Sequence, residues 1–187
     1  MDKEKIAFHV RGILEAIGEN PDREGLLETP QRVAEMLEEV LEGIQYTNHE
    51  IAEMFGKTFE CPSSHNDTVV MKDITVYSYC EHHFALMYDM TVNVGYIPNG
   101  RVLGLSKIAR ICDMAAKRLQ LQERLSKDIA DIISEAAGTE DVAVVIRGSH
   151  SCMTARGIRN TDAKTETSVF RGRFKNDNEL KRMVRFE

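Results

Sequence analysis

The stretch YCEHHF at residues 79–84 combines side chains that bind soft divalent metal ions. Cys80 and His83 lie three residues apart, a spacing at which a thiolate and an imidazole can share one tetrahedral Zn2+. A second thiol, Cys152, lies in the stretch RGSHSCMTARG, directly after a predicted strand. Because the ends of two strands in one sheet can be neighbours in space, Cys152 is a candidate third ligand.

Three protein ligands, Cys80, His83 and Cys152, would leave the fourth position of a tetrahedral zinc open. Catalytic zinc sites have this arrangement, and the metal lowers the pKa of its water to about 7. The alternative is a structural site with two cysteines and two histidines, in which His82 or His150 is the fourth ligand. The spacing leaves both interpretations open. His82 and His150 are also candidate catalytic residues, because histidine exchanges protons near neutral pH.

Four basic side chains are candidates for binding a polyphosphate, although the chain as a whole is acidic. Lys107 and Arg110 follow Ser106 in the first turns of a predicted helix. Arg32 lies in the first turn of another helix, and Arg156 lies close to the second thiol. A helix N-terminus carries partial positive charge, so basic residues are disfavoured there unless an anion is bound. Taken singly, each of the four is better explained as a solvated surface charge.

Glu123, in the stretch QLQERL, stands near the start of a predicted helix. A carboxylate is favourable at that end of a helix, and this alone explains its presence. Glu123 can also accept two parallel hydrogen bonds from a planar pair of N–H donors, such as guanine N1 and its 2-amino group. The residue by itself does not separate these two interpretations.

The composition indicates a globular protein: 187 residues, of which 42% are hydrophobic and 29% charged. The formal net charge of -6 provides no overall basic surface, so nucleic acid is not an expected partner. The sequence shows neither a membrane-spanning apolar run of about 18 residues nor a signal-peptide core, so we expect a cytoplasmic protein without membrane contact. In a reducing compartment, its four cysteines are better explained by metal binding or burial than by disulfides.

Hydrophobic periodicity predicts two helices followed by a mixed second part. Helices are predicted at residues 2–17, 28–44, 106–119, 122–138 and 177–186, and strands at residues 68–80, 84–98, 141–148 and 165–174. The β-β-α-α-β-β order predicts an α+β domain at residues 67–187, with an antiparallel sheet and helices on one face, behind an N-terminal helical arm at residues 1–66. Open sheet edges favour pairing with further copies of the chain, so a homo-oligomer is expected.

Several local predictions accompany this outline. Thr29 is a candidate N-cap of the second helix, with Pro30 at the first helical position. The buried stripe of that helix is predicted to be Val33, Met36, Leu37, Val40, Leu41 and Ile44. In the second strand, alternation places one set of residues on one side of the sheet: Leu86, Tyr88, Met90, Val92, Val94 and Tyr96. The stretch CPSSHND at residues 61–67 is predicted to be a loop.

Four motifs in order, CEHHF, GLSKIARI, RLQLQERLSKDIA and HSCMTARGIR, resemble those of the GTP cyclohydrolase I family, as do ETPQRVAEM and FKNDNELKRMVR. The resemblance covers the chain from Ile6 onward. It implies the tunnelling fold, in which β-β-α-α-β-β units assemble into a toroidal homodecamer with active sites between subunits. It also implies that zinc-dependent hydrolysis of GTP at guanine C8, followed by rearrangement, yields 7,8-dihydroneopterin triphosphate and formate for folate or pterin synthesis.

The resemblance also implies a role for each candidate residue. Cys80, His83 and Cys152 match the family's zinc ligands, which leaves His82 free for proton transfer, and His150 matches the histidine that protonates the purine at N7. The matching substrate-binding residues are Glu123 for guanine with Gln122 alongside, Ser106 near the ribose and phosphates, and Lys107, Arg110, Arg156 and Arg32 for the triphosphate. Some members carry a lysine where this chain has Glu35, which weakens the assignment of Arg32.

Two other functions are compatible with parts of this pattern, since a shared fold does not fix a function. One is another tunnelling-fold enzyme acting on a pterin or deazapurine, such as a nitrile reductase or a relative of pyruvoyl-tetrahydropterin synthase. The zinc site of the latter uses three histidines, which the Cys-Glu-His-His run fits poorly. The other is a non-enzymatic assembly or binding protein stabilised by zinc.

Overall fold

A computed structural model of the protein describes residues 1–61 and 67–186. The chain forms two compact units, Met1–Glu42 and Gly43–Glu187. The predicted boundary between the helical arm and the second domain borders residues 62–66, which lie outside the described residues, and it stays a prediction. The same holds for most of the loop predicted at CPSSHND.

The first unit contains two helices that pack against each other, α1 at Lys3–Ala16 and α2 at Thr29–Val40. The predicted N-cap of α2 is wrong: Thr29 is its first residue, and Glu28 precedes it without a side-chain capping bond. The physical reason lies in the turn before the helix. The Thr29 backbone N–H donates to the carbonyl of Leu26 at 3.0 Å within that turn, and the first intrahelical bond runs from the Arg32 N–H to the Glu28 carbonyl at 3.0 Å, which makes Glu28 the N-cap.

The buried stripe predicted for α2 is only partly right. Leu41 is buried, whereas Met36 is 42% exposed and Ile44 is 51% exposed. Ala34, which was not in the predicted stripe, is fully buried. Because α1 is a single helix, it can cover only a narrow strip of α2. The apolar side chains beyond that strip, together with Phe8 of α1, are left uncovered in one chain.

The second unit is a mixed α+β domain with a largely antiparallel sheet. The sheet consists, in spatial order, of β5 at Leu119–Gln120, β2 at Val69–Cys80, β3 at Ala85–Tyr96, β6 at Val142–His150 and β7 at Thr165–Phe170. A separate two-stranded sheet pairs β1 at Thr58–Glu60 with β4 at Arg101–Leu103. The helices are α3 at Asn48–Phe55, α4 at Leu105–Ala116, α5 at Gln122–Ala137, α6 at Ser151–Thr154 and α7 at Asn178–Val184.

The main hydrophobic core lies between one face of the sheet and helices α3, α4 and α5. Val144 and Ile146 of β6 and Ile129 of α5 are fully buried in it, as is Cys112, whose thiol pKa is raised by burial. A smaller cluster on the opposite face includes Val145 of β6 and Val184 of α7. The prediction of α4 and α5 on one face is therefore confirmed, while the terminal helix packs on the other. No helix in the described ranges is both long and apolar enough to cross a bilayer.

The alternation predicted for β3 is wrong at its N-terminal end because the strand contains a β-bulge at Asp89. Asp89 adopts a φ of 50°, and the pairing of β3 shifts register at this point against both of its neighbours. The extra residue moves every preceding side chain to the opposite face of the strand. Met87, instead of Leu86 or Tyr88, therefore joins Met90 in the core, where both are fully buried.

We expect Asp89→Val to lower the thermal unfolding midpoint more than Asp89→Asn does. Both changes remove the carboxylate that contacts Lys164, but a β-branched residue is strained at positive φ, whereas asparagine tolerates it. The backbone strain should cost about 1–3 kcal/mol. Thermal unfolding followed by circular dichroism measures the difference, and equal midpoints for the two variants would argue against a strained bulge.

Candidate functional site

The sheet register brings the two predicted metal-binding segments to the same edge of the domain. Met87 of β3 pairs with Ser78 of β2 on one side and with His150 of β6 on the other. β2 ends at Cys80 and β6 ends at His150, and the short helix α6 then carries Cys152. Side chains two residues apart on a strand share a face, so Cys80 and His150 both point toward the helical side of the sheet.

Three potential ligand atoms converge at this edge. One ligand atom each of Cys80, His150 and Cys152 lies within 4.8 Å of the other two. Two thiolates bound to a tetrahedral zinc are about 3.8 Å apart, given a Zn–S distance of about 2.3 Å. Cys80 is buried and the other two are half-buried. The donor set of two thiols and one imidazole is therefore suited to Zn2+ in type and in spacing.

A bound cation would change the protonation of the cluster. Burial, and next the neighbouring thiol of Cys80, raise the pKa of Cys152. Two thiols held together in this way cannot both ionise easily unless a positive charge offsets the repulsion. Burial also lowers the pKa of His150, an effect opposed by the negative charge of Glu123. A neutral imidazole has a nitrogen lone pair available for a metal or a proton.

His82 and His83 lie in the turn between β2 and β3, and both are exposed. The Nε2 atom of His83 accepts a hydrogen bond from Nη1 of Arg156 at 3.0 Å. Within the described ranges, the metal-binding cluster thus contains His150 and not His83. The predicted ligand role of His83 stays a prediction. If Nε2 is the ligand atom, its hydrogen bond from Arg156 must break before its lone pair can bind the metal.

Gln122 and Glu123 begin helix α5, yet they lie in different environments. Gln122 is buried, and its Oε1 atom is 2.8 Å from Nε2 of His150. Glu123 is exposed in the first turn of the helix, and its charge acts on the same histidine. Of this predicted pair, Glu123 is therefore available to an external ligand, whereas the side chain of Gln122 is enclosed.

A network that the sequence analysis did not identify holds the start of α5 against the end of β2. Cys80 pairs in parallel with Gln120 of β5, and the backbone N–H of Glu81 donates to the Gln120 carbonyl at 3.1 Å. Arg124 contacts the Glu81 carboxylate and donates to Oε1 of Gln120 at 2.9 Å. A two-residue strand such as β5 leaves no periodic signal in sequence. The adjacent charges in CEHH and QER were the only available indication.

The remaining candidates lie on helix surfaces. Ser106 and Arg110 are exposed and Lys107 is half-buried in the first turns of α4, which has no acidic residue in its first turn. Across residues 1–61 and 67–186, no hydrogen bond or ion pair joins their side chains to the thiols. Arg32 belongs to the other compact unit, where it pairs with Glu28. Their roles in binding a phosphate stay predictions.

The mixed α+β domain and its cluster of thiols and imidazole define a candidate metalloprotein. The family model for GTP cyclohydrolase I matches residues 6–186. A Ruminiclostridium cellulolyticum protein described as GTP cyclohydrolase 1 is 60% identical over 184 residues, covering 96% of this chain and 94% of the relative. A protein of the same description from Clostridium acetobutylicum is 56% identical, covering 96% of this chain and 94% of the relative. Another, from Clostridium botulinum, is 55% identical, covering 95% of this chain and 92% of the relative. The chain belongs to the GTP cyclohydrolase I family.

We expect Cys152→Ser to lose most of its bound zinc while Cys61→Ser retains it. A serine hydroxyl is a poor replacement for a soft thiolate ligand, and Cys61 is a free cysteine outside the cluster. Metal analysis of purified protein should give about one zinc per chain for the wild type and for Cys61→Ser. Equal zinc content in both variants would exclude Cys152 as a ligand.

Proposed function

We propose that this protein is a zinc-dependent GTP cyclohydrolase, which hydrolyses GTP at guanine C8 and rearranges the product to 7,8-dihydroneopterin triphosphate with release of formate. Membership in the family supports the reaction. The observation that carries the proposal is the convergence of Cys80, Cys152 and His150 beside the start of α5, where Glu123 is exposed. One edge of the domain thus combines a metal-binding cluster with a carboxylate suited to guanine.

We propose that Cys80, Cys152 and His83 hold the zinc, with His150 left free beside it. The two thiols fit the metal in type and separation, as argued above. When bound, zinc supplies Lewis-acid chemistry that makes water a nucleophile near neutral pH. Assigning His83 as the third ligand rests on its match to the family motif. His150 lies close to both thiols. This position is compatible with an imidazole that lies next to the metal without binding it, and also with an imidazole that replaces His83 as the third ligand.

His150 is the proposed proton donor to the purine. Protonation of guanine at N7 withdraws electron density from C8 and makes that carbon more open to attack by water. The imidazole is half-buried, and two opposed effects act on its pKa: burial lowers the pKa of His150, and the negative charge of Glu123 raises it. His82, exposed in the adjacent turn, is the proposed second group for proton transfer.

Glu123 is proposed to recognise the guanine ring. Its carboxylate is exposed in the first turn of α5, and its two oxygens match the parallel donors N1–H and 2-NH2 of guanine. Adenine has no such pair of donors, so this residue would select GTP over ATP. Because the charge of Glu123 acts on His150, a guanine held by Glu123 would lie close to the proposed proton donor.

The triphosphate is proposed to bind basic residues contributed by more than one subunit. Lys107 and Arg110 carry charge in the first turns of α4, where Ser106 is exposed, and Arg156 carries charge at the surface beside His83. Exposed apolar side chains in the first unit, such as Phe8 at 73% and Leu27 at 63%, support assembly of several chains. We propose a toroidal homodecamer of tunnelling-fold subunits, in the cytoplasm, with Arg32 a further phosphate contact.

Incubating the zinc-loaded protein with GTP tests the proposed reaction. We expect release of formate and, after oxidation, the fluorescence of a pterin. Folded, zinc-replete protein that yields neither product would reject the proposal. The same assay with ATP is the specificity control, and we expect no product there.

A matched pair of histidine variants tests the assignment of ligand and proton donor. His150→Ala should retain zinc and lose turnover by about 10²–10⁴-fold, the usual contribution of a proton-transfer group. His83→Ala should lose zinc as well as turnover. Metal analysis beside the GTP assay distinguishes them. If zinc leaves with His150 and stays without His83, then His150 is the ligand.

Glu123→Gln should weaken the recognition of guanine while leaving zinc bound. The neutral amide can still accept one hydrogen bond but presents an NH2 group to the second donor of guanine. We expect KM for GTP to rise by about 10-fold or more, because hydrogen bonds to charged groups contribute roughly 1.5–3 kcal/mol. Steady-state kinetics measure this change, and an unaltered KM would show that Glu123 does not contact the base.

A further inference from the structure

The buried side chain of Gln122 makes contacts through both ends of its amide. Its Nε2 atom donates to the carbonyls of Ile146 and Thr165, each at 3.1 Å, and to Oγ1 of Thr167 at 3.3 Å. Its Oε1 atom lies 2.8 Å from Nε2 of His150. The residue is 1% exposed, so this arrangement is an internal feature of the domain.

The neighbouring acceptors fix the orientation of the amide. Exchanging the amide oxygen and nitrogen would bring Oε1 against two backbone carbonyl oxygens, which cannot donate a hydrogen bond. Each of these buried oxygens would then lack a hydrogen-bond donor, which is unfavourable away from water. The oxygen therefore faces His150, and only the imidazole can be the donor in that contact.

This orientation determines which nitrogen of His150 carries its proton. With Nε2–H donating to Gln122, the neutral imidazole is the Nε2–H tautomer, and the lone pair is on Nδ1. Nδ1 is then the atom that can accept, hold or release a proton at the site. In the other tautomer, the lone pair of Nε2 would face the amide oxygen without a hydrogen bond.

The backbone around the amide is shaped to admit it. Gly148 of β6 lies beside the contact, and a Cβ atom at that position would lie 3.5 Å from Oε1 of Gln122 and 2.8 Å from Cγ of Met90. Any larger residue would therefore press on Met90 and fill the space next to the amide oxygen. The sequence of β6 thus leaves room for the Gln122–His150 contact.

We propose that Gln122 is a positioning residue, whose amide oxygen holds His150 in the Nε2–H tautomer with Nδ1 free for proton transfer. The inference rests on the proposed function of His150, but it assigns Gln122 a different role from the guanine contact that the family resemblance implies. A guanine contact would act on substrate binding. A positioning role acts on proton transfer and leaves binding unchanged.

Kinetics of Gln122→Met separate these two roles. Methionine has a similar length but can neither accept the proton of Nε2 nor donate to the backbone carbonyls. We expect kcat to fall by about 100-fold, within the range for loss of a proton-transfer group, with KM for GTP and zinc content close to wild type. Thr167→Val is the matched control, because it removes one contact of the amide NH2 and leaves the oxygen on His150. We expect its kcat to stay near wild type.

Nitrogen NMR of zinc-loaded wild-type protein labelled with 15N-histidine tests the tautomer without any change at Gln122, using His150→Ala to assign the signals. We expect the His150 proton on Nε2. A proton on Nδ1 in the neutral ring would overturn the inference, as would a raised KM with unchanged kcat in Gln122→Met. Wild-type turnover of GTP tests the proposed function separately: if it is absent, that function fails, while the NMR result still decides the tautomer.

Discussion

The register of three neighbouring strands is the constraint on which the site depends. β3 lies between β2 and β6, and its bulge at Asp89 sets which of its residues face the core next to Ser78 and His150. Without the extra residue, the side chains of β3 that precede Asp89 would face the opposite side of the sheet, and Met87 would leave the core. The groups of the candidate metal site lie together because β2 ends at Cys80 and β6 ends at His150, at the same edge of the sheet.

Burial and charge divide the site into an enclosed part and an open part. Cys80 and Gln122 are buried and His150 is half-buried, so the cost of an unpaired charge or polar group is high there. This cost would be reduced by a metal ion bound between the two thiols, and it is reduced by the hydrogen bond between the Gln122 amide and the His150 imidazole. Glu123 and Arg156 are exposed, as residues that bind an external ligand must be. Within the proposed site, the Cys80 thiol and the Gln122 amide therefore lie in a low-dielectric environment, whereas His82, His83 and the proposed recognition groups Glu123 and Arg156 are in contact with water.

The long helices and strands and the approach of Cys80 to Cys152 were predicted from the sequence, because hydrophobic periodicity and residue type are local properties. The sequence did not predict features that depend on tertiary context. The alternation of apolar and polar residues did not reveal the bulge at Asp89. Because of this bulge, Met87 and Met90 both face the core, although they lie three residues apart along the strand. The two-residue strand β5 is too short for a pattern, and the Thr29 cap was superseded by the turn before it. Which side of α2 is exposed depends on the surfaces that other helices cover. The sequence of α2 alone does not contain this information.

We propose that Cys80 and Cys152 bind a divalent ion and that one coordination position of this ion stays available to solvent. A crystal structure of zinc-loaded protein, with anomalous data collected at the zinc absorption edge, locates the ion and counts its ligands. We expect a single anomalous peak between the two sulfurs, with one imidazole and one solvent molecule completing the tetrahedron. A peak surrounded by four side chains, or no peak between the sulfurs, would contradict it.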